Sequence, residues 1–91
     1  MIKYTGGSGK TREQAIKITG AEDGVEGIGA EYEFLRLLSN QLGQEVKMVR
    51  QSLHHHGDKS YDMMVLQFED GNSEEIWFDI TDFYGNYPVE E

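Results

Sequence analysis

The stretch "YDMMVLQFEDGNSEEIWFDI", residues 61 to 80, limits the fold more than any other part of this chain. Two runs of alternating side chains flank Asp70-Gly71. Alternation at period two marks a strand with two different faces. An Asp-Gly pair between such runs is a hairpin signal, because the turn needs backbone conformations that these residues adopt cheaply. The pattern predicts strands over 61–68 and 73–81. On the first, Met64, Leu66 and Phe68 share a face and Tyr61, Met63 and Val65 share the other. On the second, Ile76, Phe78 and Ile80 oppose Glu75, Trp77, Asp79 and Thr81.

Something must cover the Met64, Leu66, Phe68, Ile76, Phe78 and Ile80 face. "AEYEFLRLLSNQLG", from Ala30, places Tyr32, Leu35, Leu38 and Leu42 at helical spacing, with Phe34 and Leu37 beside them. Glu31 and Glu33 fall in the expected first turn, where negative charge suits the helix dipole, and Gly43 is a stop signal. Residues 44–53 read as a strand with a bulge near Met48 and Val49, which reconciles Val46 and Met48 on one face with Val49 and Leu53 on the other. "HHHGDKS" reads as a turn. Residues 13–19 read as a first short strand, and 20–29 as a glycine- and acid-rich connection. The expected architecture is therefore α+β. One small domain over 13–85 has the order β-α-β-β-β, with a three-stranded antiparallel meander packed on one helix and open to the first strand. Residues 1–12 read as a flexible arm and 86–91 as an acidic tail.

"GGSGKT", residues 6–11, resembles the end of a phosphate-binding loop, but the context argues otherwise. The motif G-x-x-x-x-G-K-[ST] needs a glycine at position 4, where Tyr4 stands. It also needs a buried strand before it and a helix after it, so that helix N–H groups converge on phosphate. Only Met1–Thr5 precede the run, and the alternating "AIKIT" follows it. The run reads as a polar glycine turn before a strand.

Charge narrows the function further. The chain has 91 residues and a formal net charge of −9. Residues 1–59 hold all eight Lys and Arg and eight acids, so the imbalance lies in the last third. Phosphate backbones and anionic membrane surfaces repel such a surface, which argues against nucleic-acid and membrane partners. A basic protein would be steered towards it. No cysteine is present, so disulfides, thiolate metal sites and a cysteine nucleophile are excluded. The absence of a charged start followed by an apolar run points to the cytoplasm.

The second sheet face raises the question of what covers it. Met63, Val65 and Trp77 lie there beside Glu75 and Asp79, and one helix cannot cover both faces. Either the arm and the tail "FYGNYPVEE" fold over them, bringing in Phe83, Tyr84 and Tyr87, or they form an exposed patch of the kind partners use. These five residues are the candidate interaction surface. His54, His56 and Asp58 are weak candidate metal ligands, since rings in succession at a turn do not readily aim at one ion. Ser52 with His54 is the only serine–histidine pair of interest, and nothing beyond composition supports it. Asp79 and Asp82 read as an outer-face acid and a turn cap rather than an acid–base pair. No cofactor is expected.

"GGSGKTREQAIKI", "GIGAEYEFL", "GDKSYDMMVLQFEDG" and "IWFDITDFYG" together resemble a family of small bacterial proteins and domains of unknown function. The resemblance spans residues 6 to 85. It implies a shared fold and carries no activity, and the three histidines depart from the family pattern. The expectation is a non-catalytic interaction module of the adaptor, inhibitor or immunity type, monomeric or homodimeric. The alternative is a small-ligand or metal-binding domain using the outer sheet face or the His54–His56 turn.

Overall fold

The computed structural model describes residues 1–86. The elements run β1 (Lys3–Gly6), a short 3₁₀ turn (Arg12–Gln14), β2 (Ile16–Thr19), α1 (Gly24–Leu42), β3 (Lys47–His56), β4 (Lys59–Gln67) and β5 (Ser73–Asp79). They form a five-stranded sheet, order β1-β2-β5-β4-β3, with one helix on one side. The α+β meander is present: β3 pairs with β4 and β4 with β5, both antiparallel. The first predicted strand, seen as β2, joins it parallel to β5 through Ile16–Phe78 and Lys17–Asp79.

The N-terminal segment corrects the expectation of a loose arm. Residues 3–6 pair with β2 as an antiparallel edge strand, and Trp77 N donates to Gly9 O at 2.7 Å. The glycine run makes this approach feasible. Gly9 has φ +83°, and a Cβ there would come within 2.9 Å of Ile16 and 3.0 Å of Ile76. No helix of useful length follows "GGSGKT". Thr11 caps only the three-residue 3₁₀ turn.

The helix begins six residues earlier than its apolar pattern suggested. Asp23 is the N-cap and accepts from Glu26 N at 2.9 Å, while Gly43 closes the other end at φ +66°. Its buried stripe runs through Gly24, Gly27, Glu31 and Leu35, so the helix is rotated from the expected face. Tyr32, Leu37 and Leu42 are exposed. Glu31, expected at a solvated first turn, is instead fully buried in the second.

The core lies between α1 and the sheet. Ile16, Ile18, Leu35, Met64, Ile76 and Phe78 are at its centre, as the even-numbered alternation on β4 and β5 required. Each large side chain is worth roughly 1.5–3 kcal/mol on burial. Phe83 joins them from the turn after β5 and is 2% exposed. Five strands at about 4.8 Å span roughly 19 Å, twice the width of one helix. The edge strand β3 is therefore left partly uncovered, with Val49 54% and Leu53 47% exposed. The expected bulge is present: the register shifts between Met48 and Arg50. No helix among the described residues is long and apolar enough to cross a membrane.

Candidate functional site

The outer sheet face is closed largely by its own side chains. His54 pairs in register with Tyr61, and Met63 with Trp77, which sets the four side by side. The Trp77 ring lies 4.8 Å from His54 and 6.4 Å from Tyr61 between centroids. Met63 is only 6% exposed and Asp79 only 8%. These two leave the proposed contact surface for a structural reason. Met63 sits beneath the aromatic row, and Asp79 Oδ1 accepts from Thr81 N at 3.0 Å and Thr81 Oγ1 at 2.6 Å to hold the turn after β5. Val65 and Trp77 are half-buried, and Glu75 is exposed. Neither Phe83 nor Tyr84 covers this face. Phe83 packs in the core, and Tyr84 stands 5.2 Å from His55. Tyr87 and the acidic end of the tail lie outside the described residues.

The histidines are strand residues, not turn residues. The β3–β4 connection narrows to Gly57-Asp58, so alternation sends His54 and His55 to opposite faces. His54 Nε2 lies 2.8 Å from Ser52 Oγ, and His55 Nδ1 lies 3.0 Å from Ser60 Oγ. Among the described residues, no group of three His, Asp or Glu is placed to hold a metal ion. The Ser52–His54 contact is real geometry. Among the described residues, no carboxylate hydrogen-bonds the ring nitrogen away from Ser52, so none of them stands as the orienting third member of a triad.

Asp82 holds the fold together as well. Its Oδ2 accepts from Gly20 N at 3.3 Å, tying the turn after β5 to the end of β2.

No family model, curated protein or solved structure matches the chain.

Two features escaped the sequence reading. The first is Glu31. It faces Asp62 across the helix–sheet contact, and in its ionised form neither of its oxygens has a donor. Burial first, then the hydrogen bond that its protonated form offers the Asp62 carboxyl, and then the charge of that carboxyl, push its pKa up to about 9. Asp62 itself accepts from Gln51 Nε2 at 2.8 Å. The signal available in sequence was a glutamate three residues before Phe34 and four before Leu35, on the helix's apolar side; its charge hid it.

The second is the acidic end of the β4–β5 hairpin. Glu69, Asp70, Glu74 and Glu75 are all exposed there. The ion pairs among the described residues are Arg12–Glu13 at 3.3 Å and Arg36–Glu33, so neither engages the hairpin. Glu69 Oε1 accepts from Glu45 N at 3.1 Å, and Asp70 Oδ1 from Asn72 N at 2.9 Å. These bonds hold Glu69 and Asp70 in place, and none of the four acids takes part in an ion pair among the described residues, although Lys10 lines the same groove as Glu74 and Glu75.

Proposed function

We propose that this protein is a non-catalytic interaction module, of the adaptor, inhibitor or immunity type, that binds a basic protein through the acidic end of its β4–β5 hairpin. The observation that carries the reading is the placement of Glu69, Asp70, Glu74 and Glu75 at one end of the hairpin, exposed and outside any ion pair among the described residues. Like charges held close at a surface repel, and a cationic partner relieves that repulsion while also being steered to it. The outer-face residues Val65, Trp77 and Glu75 extend the surface along β5. A cysteine-free chain with this charge suits a reducing compartment such as the cytoplasm.

Affinity capture at low and high salt tests the reading, with the captured protein then purified and titrated. The expected result is a basic protein released at about 0.5 M salt, where exposed charges are screened within a few ångströms. A Glu74→Lys, Glu75→Lys double variant should lose it. A folded protein whose binding ignores both salt and charge reversal would overturn the proposal.

A further inference from the structure

Beside two of these acids, Glu74 and Glu75, lies an apolar groove of about 230 Å³. Its walls are Phe34, Leu38 and Leu42 of α1, with Leu66, Phe68 and Ile76 of the hairpin strands. Ser8 and Lys10 close one side, carried there by the glycine run, and Glu74 and Glu75 close another. Glu74 pairs in register with Leu66, on the helix side of the sheet, which sets its carboxylate at the groove. Phe68 and Leu38 are half-buried, and Leu42 is exposed. The groove is thus an opening in the core's own layer rather than a surface dent.

Size decides what fits. A cavity of about 150 Å³ accommodates a benzene ring, whereas pockets for whole small ligands run from about 300 Å³ upwards. A groove between these limits suits one large side chain. Charge decides what flanks that side chain. Two carboxylates stand at the rim against the single cation Lys10, so neighbouring Lys or Arg residues are favoured and acidic ones repelled. A second copy of this chain, carrying its own charge of −9, is disfavoured as the occupant on the same ground.

We infer that this groove is the specificity pocket of the interaction surface, receiving one large apolar side chain that a basic partner presents between Lys or Arg residues. The inference rests on the reading of the hairpin acids as a partner site, and it adds the element that would distinguish one basic protein from another. Charge alone selects poorly, while a filled apolar pocket ringed by charges provides an anchor.

The test uses the intact protein with methyl-labelled Leu and Ile, titrated at low salt with acetyl-Gly-Lys-Phe-Lys-Gly-amide. Comparison peptides replace Phe by Ala, or both Lys by Glu. The expected result is that the Lys-Phe-Lys peptide moves the methyls of Leu38, Leu42, Leu66 and Ile76. It should bind about tenfold or more tightly than Lys-Ala-Lys, as burial of an aromatic ring implies. Glu-Phe-Glu should not bind measurably. Leu42→Glu, at an exposed wall position, should abolish the Phe advantage and keep the weak binding of Lys-Ala-Lys.

Equal binding of the Phe and Ala peptides, with the groove methyls unmoved, would overturn the groove assignment and leave the acidic surface standing. Binding of Glu-Phe-Glu as tight as that of Lys-Phe-Lys would overturn the charge selection at the rim. Groove methyl shifts that follow protein concentration alone would make the occupant a second copy and overturn the inference. No response to either cationic peptide would overturn both readings.

Discussion

Glu31 of α1 and Asp62 of β4 bury two carboxyl groups against one another between helix and sheet. Glu31 is 0% exposed, and in its ionised form its oxygens have no donor. With a folded-state pKa near 9, well above the ordinary 4.5, Glu31 stays protonated in the native protein at neutral pH. The unfolded chain gives that proton up. The folded state therefore binds more protons than the unfolded state between 4.5 and about 9, and stability falls as pH rises through that window. A neutral amide of the same shape removes this cost and can donate an N–H to Asp62. Glu31→Gln should raise the thermal midpoint by at least about 5 °C near pH 8, and change it little below pH 4.5. Calorimetry across the window checks this. Parallel pH profiles for the two proteins would remove the account.

Gly27 and Gly29 sit two residues apart on one helix and predict opposite outcomes. A Cβ at Gly27 would come within 2.3 Å of the Phe83 ring, while a Cβ at Gly29 meets nothing within 4 Å. Alanine favours a helix over glycine by about 1 kcal/mol at either site. At position 29 that gain stands alone, so Gly29→Ala should stabilise by about 0.5–1 kcal/mol. At position 27 the overpacking of a core aromatic outweighs it, and Gly27→Ala should destabilise by about 1–3 kcal/mol. Urea denaturation resolves both. A stabilising Gly27→Ala would mean that Phe83 does not pack on this turn.

The same two glycines explain where the sequence could be read and where it could not. The meander was legible because alternation states a face at each strand residue: the Met64, Ile76 and Phe78 side is the core, and the bulge at Val49 was needed to keep Met48 and Gln51 on one side, while edge strand β1 and the His54–His56 end of β3 read as arm and turn. The helix start was not legible. Gly24, Gly27 and Gly29 read as a loop by propensity, and only the close approach of Phe83, 56 residues away in sequence, calls for a small residue at position 27. The helix face was misread for a related reason. The stripe includes Gly24, Gly27 and Glu31, whose residue types do not advertise burial. As for the candidate site, the acid load was visible as composition. The gathering of Glu69, Asp70, Glu74 and Glu75 follows from their flanking the Asp70-Gly71 turn, whereas the groove beside Glu74 and Glu75 depends on the packing of α1, β5 and the glycine run, which no local pattern encodes.

His54 shields one side of the Trp77 ring, and their relationship gives an optical readout. The two rings are 4.8 Å apart, tilted by 48°. Removing the imidazole opens the indole to water. His54→Ala should shift Trp77 emission to longer wavelength while leaving the far-ultraviolet circular dichroism intact. His55→Ala, on the opposite face beside Tyr84, should leave the emission unchanged. As the chain's single tryptophan, Trp77 reports alone. Identical emission from the two variants would place His54 away from the ring.

Val49 is the extra residue in β3, and its deletion tests what the bulge is for. Met48 pairs with Leu66 and Arg50 with Val65, so Val49 has no partner across the ladder. Deleting it joins two segments that are already in register, and every remaining side chain keeps its face. Stability should therefore change by less than about 1 kcal/mol, whereas a slip that inverted the faces would expose the core and cost far more. What the deletion alters is the outer edge. A bulge twists an edge strand and interrupts its row of free N–H and C=O groups, which otherwise invite another strand. β3 is the longest strand and lies at the edge of the sheet. The variant lacking Val49 should fold as well as the parent and self-associate at concentrations where the parent does not. Sedimentation velocity separates the outcomes: a monodisperse variant would mean that the flanking charges of Lys47 and Arg50 suffice to protect the edge, and a variant that fails to fold would mean that the bulge sets the register itself.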